Sequence, residues 1–181
     1  MSSKQARSEE RAEHWIGAAL AAHERGLTLY ALRLLGDIER ARDAVGETFL
    51  RLCKQPRDDV EHRLAEWLYT VCRNQALDVL RKEGRMSTLP AENAADIQSA
   101  DEPHTAAIER RECASRVMDA MEALPNNQRD ALLLKFQQGL SYKEIARVTE
   151  ETVGNVGWLI HTGLKKLRDR LGDEAWKGIE A

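Results

Sequence analysis

Thr152, Asn155, Trp158, His161, Thr162, Lys165, Lys166 and Arg168 fall within seventeen residues near the end of the chain, in and around the stretch GNVGWLIHTGLKKLR. Their types suit contact with nucleic acid. An asparagine amide presents a donor and an acceptor side by side, the pairing that reads a base edge. Lysine and arginine neutralise phosphates, and a threonine hydroxyl or the free N–H groups at a helix start can hold one. Val153, Val156, Ile160, Leu164, Leu167 and Leu171 recur in steps of three and four, which predicts a helix burying one narrow stripe. The polar set then lies on the outer face, with Arg170 extending the basic end. Gly154 and Gly157 thin the helix so that backbone and groove approach closely. A basic helix C-terminus also complements the helix dipole with no nucleic acid involved, so the spacing alone favours DNA contact only slightly.

Such a helix must be positioned by its neighbours. Ser141-Tyr142-Lys143-Glu144 has the form of a capping box, and a short helix with Ile145, Ala146 and Val148 follows. Thr149-Glu150-Glu151 forms a turn, and Thr152 is a good N-cap for the long helix. A short capped helix, a turn and a longer helix make a helix-turn-helix. Ala146 is small enough for the two helices to cross closely, with Val156 packed beneath. Upstream, Val117, Met121 and Leu124 end one helix before Pro125. Pro125-Asn126-Asn127 opens the next, which holds Leu132, Leu133 and Phe136 inside and stops at Gly139.

A separate helical block spans about Glu9 to Arg85. Its first helix, Ala12 to Leu35, places Trp15, Ala18, Ala19, Ala22, Leu27, Tyr30 and Leu34 at helical spacing. Gly36-Asp37 breaks it, and Asp37 caps a second helix striped by Ala41, Val45, Phe49 and Leu52. Residues 55–59 read as a loop, and the stripe resumes from Val60 to Lys82 through Leu64, Leu68, Val71, Ala76 and Leu80. Residues 85–107 mix Pro, Ser, Asn and acids with almost no apolar period, the composition of a flexible acidic linker. The expected fold is therefore all-α, with small helical domains at 1–84 and 108–181 joined by that linker.

Bulk chemistry narrows the function. The net charge is −3, so any DNA-binding face must arise from local segregation of charge. Cys53, Cys72 and Cys113 show neither disulfide nor zinc spacing, and reduced thiols fit a cytoplasmic protein. The longest apolar run, Ala131 to Leu134, is too short to span a bilayer, and the N-terminal residues lack a signal-peptide core. There is no glycine-rich phosphate loop, nucleophile motif or metal cluster, and His14, His23, His62, His104 and His161 are scattered. An enzyme is not expected, and no cofactor or metal is.

LPNNQRDALLLKFQQGLSYKEIARVTEETVGNV, from Leu124 to Val156, resembles region four of bacterial sigma factors. AEWLYTVCRNQALDVLRKEGR, from Ala65 to Arg85, resembles the end of region two, and GDIERARDAVGETFLRL, from Gly36 to Leu52, its polymerase-docking part. The order and the lack of counterparts to regions one and three resemble the extracytoplasmic-function (ECF) sigma factors. The resemblance implies a protein that binds core RNA polymerase and directs promoter recognition and transcription initiation. Docking on the β′ clamp helices falls to Asp43, Glu47, Phe49 and Leu50. Capture of the melted −10 strand falls to Arg73, Asn74, Asp78, Arg81 and Lys82, with the segment from Lys54 to His62; Trp67 on the same helix reads as core. Contact with the −35 duplex falls to Arg129, Lys143, Thr152, Asn155, Trp158, His161, Lys165, Lys166 and Arg168, and the second module touches the β flap. An anti-sigma factor or a kinase is a further expected partner.

The chain departs from the family pattern. Arg40 and Arg42 stand in a docking segment that is usually acidic, where they oppose a basic clamp. Added negative charge would offset this, and Thr48 is the candidate for phosphorylation. Glu150 stands where a glycine is usual and Glu151 where an apolar residue is usual; Gly157, Leu159 and Thr162 stand where family members often carry Lys or Arg. Fewer cations imply weaker binding to free promoter DNA with a shallower salt dependence. The main alternative is a stand-alone helix-turn-helix regulator; a helical scaffold is a third reading.

Overall fold

The computed structural model describes the backbone of residues 3–82, 84 and 116–180, and side chains over 14–82, 84 and 116–172. Every described element is helical, and the chain forms two compact units, Met1–Ala94 and Ala95–Ala181. The expected linker, 85–107, lies outside the described residues, as does Cys113.

The first unit packs three long helices, α1 (Ser3–Leu35), α2 (Ile38–Leu52) and α4 (Leu64–Lys82), around a buried aliphatic and aromatic centre. Helix α1 begins well before the expected Ala12 and turns Ala19, Leu27, Tyr30, Ala31 and Leu35 inward. Ala18 and Ala22, expected on the buried stripe, are exposed. Alanine suits either face of a helix, so the larger Leu and Tyr side chains set the rotation. At the end of α1 the Gly36 N–H donates to the Leu32 carbonyl at 2.7 Å with φ at 71°, a left-handed exit that glycine adopts without strain. The Asp37 carboxylate then accepts from the Arg40 N–H at 2.9 Å and caps α2. Tyr30 and Tyr69 meet edge to face, with centroids 5.4 Å apart and planes at 83°.

Two expectations for this unit are corrected. Residues 55–59 are not all loop, because a one-turn helix, α3 (Arg57–Val60), forms and is followed by a 3-10 turn, Glu61–Arg63. Pro56 presets the chain for helix entry, Asp58 and Asp59 lie in the first turn where the helix dipole favours acids, and Val60 is buried as an anchor. Thr48 is fully buried, and its hydroxyl donates to the Ala44 carbonyl at 2.7 Å. A kinase cannot reach it in the folded unit, so the phosphorylation site expected there is withdrawn. Cys72 is buried nearby, and loss of solvent pushes its thiol up to about 12.

The second unit contains α5, described over 116–122, then α6 (Asn126–Leu132), α7 (Tyr142–Thr149) and α8 (Val153–Glu180). A π-helical turn, Leu133–Gln137, extends α6. Four consecutive residues, Ala131 to Leu134, are buried there, which a regular α-helix on a core cannot achieve with one face. The wide turn rotates the following residues, and Phe136, expected inside, is 62% exposed. The Leu140 N–H closes the segment on the Leu134 carbonyl at 3.1 Å, past Gly139 at φ 69°.

Helix α8 buries Val156, Leu159, Ile160, Leu167 and Leu171. Val153, expected in the stripe, is 45% exposed, whereas Leu159, which stands where family members often carry Lys or Arg, is 1% exposed. The apolar stripe begins one turn later than expected, because the first turn of α8 is taken up by capping. A Cβ on Gly163 would meet Leu132 Cδ1 at 2.9 Å, so the third glycine of the segment lets α8 and α6 cross closely. Gly172, at φ 79° and ψ 160°, interrupts the helix before its last turns.

Candidate nucleic-acid interface

Helices α7 and α8 with the turn between them form a helix-turn-helix, and its local chemistry follows from the sequence. The Ser141 N–H donates to Glu144 Oε2 at 2.7 Å and the Glu144 N–H to Ser141 Oγ at 3.3 Å, a complete capping box. The bonds from Ser141 hold the Glu144 carboxyl below the usual carboxylate range. With the folded value below 4.5, its contribution is fully present above that pH and is lost as pH falls through the folded value. Glu144→Gln is expected to cost about 0.5–1 kcal/mol at neutral pH. In urea melts the deficit should shrink as the pH is lowered below the normal glutamate range; a deficit constant with pH would remove the carboxylate from the explanation.

The turn is held by Glu150 in the left-handed conformation, φ 60° and ψ 33°, with the Glu151 N–H on the Ala146 carbonyl at 2.9 Å. This geometry accounts for the glycine that is usual at this position. A Cβ in the left-handed region costs about 1 kcal/mol, so Glu150→Gly is expected to raise the stability of this unit by about that amount, read as a higher thermal midpoint. Thr152 caps α8 as expected, accepting from the Asn155 N–H at 3.1 Å. The Asn155 amide in turn donates to Glu151 Oε2 at 2.6 Å. That pair was not foreseen, although its four-residue spacing made it readable.

Thr152, Trp158, His161, Lys165, Lys166 and Arg168 are exposed along α8, Asn155 is half-buried at its start, and Lys143 is exposed on the first turn of α7. Trp158 is 58% exposed, unusual for so large an apolar side chain on a small unit. Thr162 is turned away from this surface, accepting from Gln128 Nε2 of α6 at 3.1 Å and donating to the Trp158 carbonyl at 2.7 Å. Gly157 lies under Tyr142, whose Cε2 would stand 3.7 Å from an added Cβ, and Lys135 Nζ sits 5.5 Å from the centre of that ring. Arg129, the remaining residue expected at the −35 duplex, lies on α6 rather than on α8. Half-buried on α6, it donates to Asn126 Oδ1 at 3.0 Å and to the Leu124 carbonyl at 3.4 Å, and burial lowers its pKa from the ordinary arginine value.

In the first unit, Asp43 and Leu50 are exposed on the outer face of α2, Leu50 at 59%. Glu47 is half-buried and accepts from Arg51 Nε at 3.1 Å. Phe49, expected among the docking residues, is 7% exposed and packs in the core with Val45 and Leu52, because it shares their helical face. Arg42 pairs with Glu39 at 2.9 Å, so part of the unexpected positive charge is neutralised within α2. On α4, Asn74, Asp78, Arg81 and Lys82 are exposed and Arg73 is half-buried; Arg81 pairs with Asp78 at 2.8 Å. Trp67, expected in the core, is only half-buried. Arg57 pairs with Glu61 and lies 5.9 Å from the centre of the Trp15 ring. Among the described residues there is no group of three or more His, Cys, Asp or Glu able to hold a metal, and no helix long and apolar enough to cross a membrane.

Comparison with known proteins accounts for both units. The Sigma-70 region 2 family matches residues 20–86 and the Sigma-70 region 4 family residues 114–167. The chain is 30% identical over 150 residues to the ECF RNA polymerase sigma factor SigL of Mycobacterium tuberculosis, covering 81% of this chain and 82% of SigL. It is 32% identical over 144 residues to the ECF RNA polymerase sigma factor SigE of Mycolicibacterium smegmatis, covering 78% of this chain and 55% of SigE, so it spans about half the length of that relative. Among solved structures, the sigma factor RpoE of Bartonella quintana, crystallised with the anti-sigma factor NepR, has the same fold, with a TM-score of 0.63 at 21% identity over 88% of this chain and 95% of that one. Two helical units matching regions two and four in order, and a relative of this identity aligned over most of both lengths, place the chain among the ECF RNA polymerase sigma factors, whose members act with core RNA polymerase in promoter recognition and transcription initiation.

Proposed function

We propose that the chain docks on the β′ clamp helices through the outer face of α2 (Asp43, Glu47 and Leu50), takes the melted −10 strand along α4 (Arg73, Asn74, Asp78, Arg81 and Lys82), and reads the −35 duplex with the outer face of α8. The capped helix-turn-helix carries this reading: the N-terminal end of the second helix is the part that enters a major groove, and in α8 that end presents Thr152, Asn155 and Trp158. Lys143, His161, Lys165, Lys166 and Arg168 supply contacts alongside, and Arg129 adds one from α6. Its function is specificity for another enzyme rather than catalysis of its own, exercised in the cytoplasm where polymerase acts, with the second unit also meeting the β flap. The fold shared with a sigma factor solved on an anti-sigma factor supports a partner of that kind.

Between Thr152 and Leu164 there is no Lys or Arg. Affinity for free promoter duplex is therefore low and only weakly salt-dependent, and recognition depends on polymerase holding the unit in place. Titration with core enzyme followed by transcription from a promoter library tests the reading. A stoichiometric complex and promoter-dependent transcripts are expected; a chain that binds promoter duplex tightly and never binds core is a stand-alone regulator. Arg40→Glu with Arg42→Glu is expected to tighten core binding several-fold, because opposite charge then faces the basic clamp. Unchanged affinity in that titration would show that charge at these positions does not limit docking.

A further inference from the structure

We propose that Glu151 is a positioning residue that sets the Asn155 amide to read an adenine in the −35 duplex. The proposal deepens the promoter reading above and rests on it. A carboxylate only accepts hydrogen bonds, so the 2.6 Å contact between Asn155 and Glu151 Oε2 fixes which end of the amide faces Glu151: the nitrogen does, and the oxygen points away. One N–H of the amide is used. What remains is one N–H and the Oδ1 acceptor, adjacent and in a fixed plane. That pair matches adenine in the major groove, where N7 accepts and the N6 amino group donates. Guanine offers two acceptors at the same edge and would leave Oδ1 facing O6.

The surroundings suit this role. The Asn155 N–H is tied to Thr152 Oγ at 3.1 Å, so both the backbone and the side chain of Asn155 are held before DNA arrives. Gly154, on the preceding position, has nothing within 4 Å of where a Cβ would stand, which leaves room for a base pair to approach. Glu151 occupies a position where the family usually has an apolar residue, and after Glu150 in the left-handed turn it stands immediately before Thr152, the cap of α8. The arrangement also supplies what the cation-poor start of α8 lacks, a contact whose specificity comes from orientation rather than charge.

The experiment is transcription by the full chain with core polymerase on a promoter library randomised through the −35 element, comparing the parent with Asn155→Ala, Glu151→Ala and Glu151→Gln. The parent should enrich adenine at one position. Asn155→Ala should erase that enrichment, by about tenfold, while leaving the neighbouring positions unchanged. Glu151→Ala should weaken it at the same position alone, and Glu151→Gln, whose amide oxygen can still accept, should largely restore it. Thermal midpoints of all four proteins keep folding defects apart from readout. If Glu151→Ala changes use of all sequences equally, the carboxylate acts only as a charge and the proposal is wrong. If the library shows no adenine dependent on Asn155, it is wrong too. A chain that binds core and transcribes selectively in either case retains the promoter function, whereas one that never transcribes sinks that function and this proposal together.

Discussion

Tyr30→Ala is expected to lower the unfolding free energy of the first unit by about 3–5 kcal/mol. Tyr30 is fully buried and meets Tyr69 edge to face, at the junction of α1 and α4. Truncation removes a large apolar area from the core and leaves a space that three long helices cannot close without shifting. It also removes an aromatic pair worth about 0.5–1.5 kcal/mol beyond its area. Domains of this size are stable by about 5–15 kcal/mol, so the variant should lose a large share of its margin. Urea denaturation followed by far-ultraviolet circular dichroism measures this directly. Tyr30→Phe keeps the ring and should cost far less. A loss below about 1 kcal/mol for the alanine variant would mean that the ring pair does not lock these helices together.

Leu50→Glu is expected to weaken binding to core polymerase by tenfold or more while leaving the fold intact. Leu50 is 59% exposed on α2, on the same face as Glu47 and Asp43, an apolar side chain beside two carboxylates. In the proposed docking it is the anchor: its burial against the clamp contributes affinity, and the flanking carboxylates contribute orientation. A glutamate there would have to be desolvated at the centre of the contact, which costs more than losing the leucine alone. An exposed position predicts an unfolding curve within about 0.5 kcal/mol of the parent. Anisotropy titration of labelled protein with core enzyme reads the affinity. Equal affinity for the two proteins would move docking off this face.

Much of the fold was legible because the stripes are long and the punctuation is strong. Gly36-Asp37, the Ser141 to Glu144 box and Thr152 are read from residue type alone, and each sits where that chemistry predicts. The misreadings share a physical origin. Alanine carries little directional information, so helical spacing does not reveal that Ala18 and Ala22 face outward. A π turn adds a residue to the helical repeat, and no periodicity of 3.6 anticipates it, so Phe136 was placed inside. The start of α8 is governed by capping rather than by burial, which displaced Val153 outward and hid Leu159. Phe49 and Thr48 share one helical face with Val45 and Leu52, and both are buried there. The Glu151 and Asn155 pair was readable from spacing but needed the left-handed turn at Glu150 to become a contact.

The length of α8 has a geometric consequence for the proposed complex. From Asn155 to Lys166 the helix rises about 16 Å, whereas a major groove is about 12 Å wide. When the first turn sits against base edges, the basic end has already passed the groove wall and meets the sugar-phosphate strand outside it. The helix then works as a ruler, with recognition at one graduation and electrostatic grip at another, and the interruption at Gly172 marks the end of its scale.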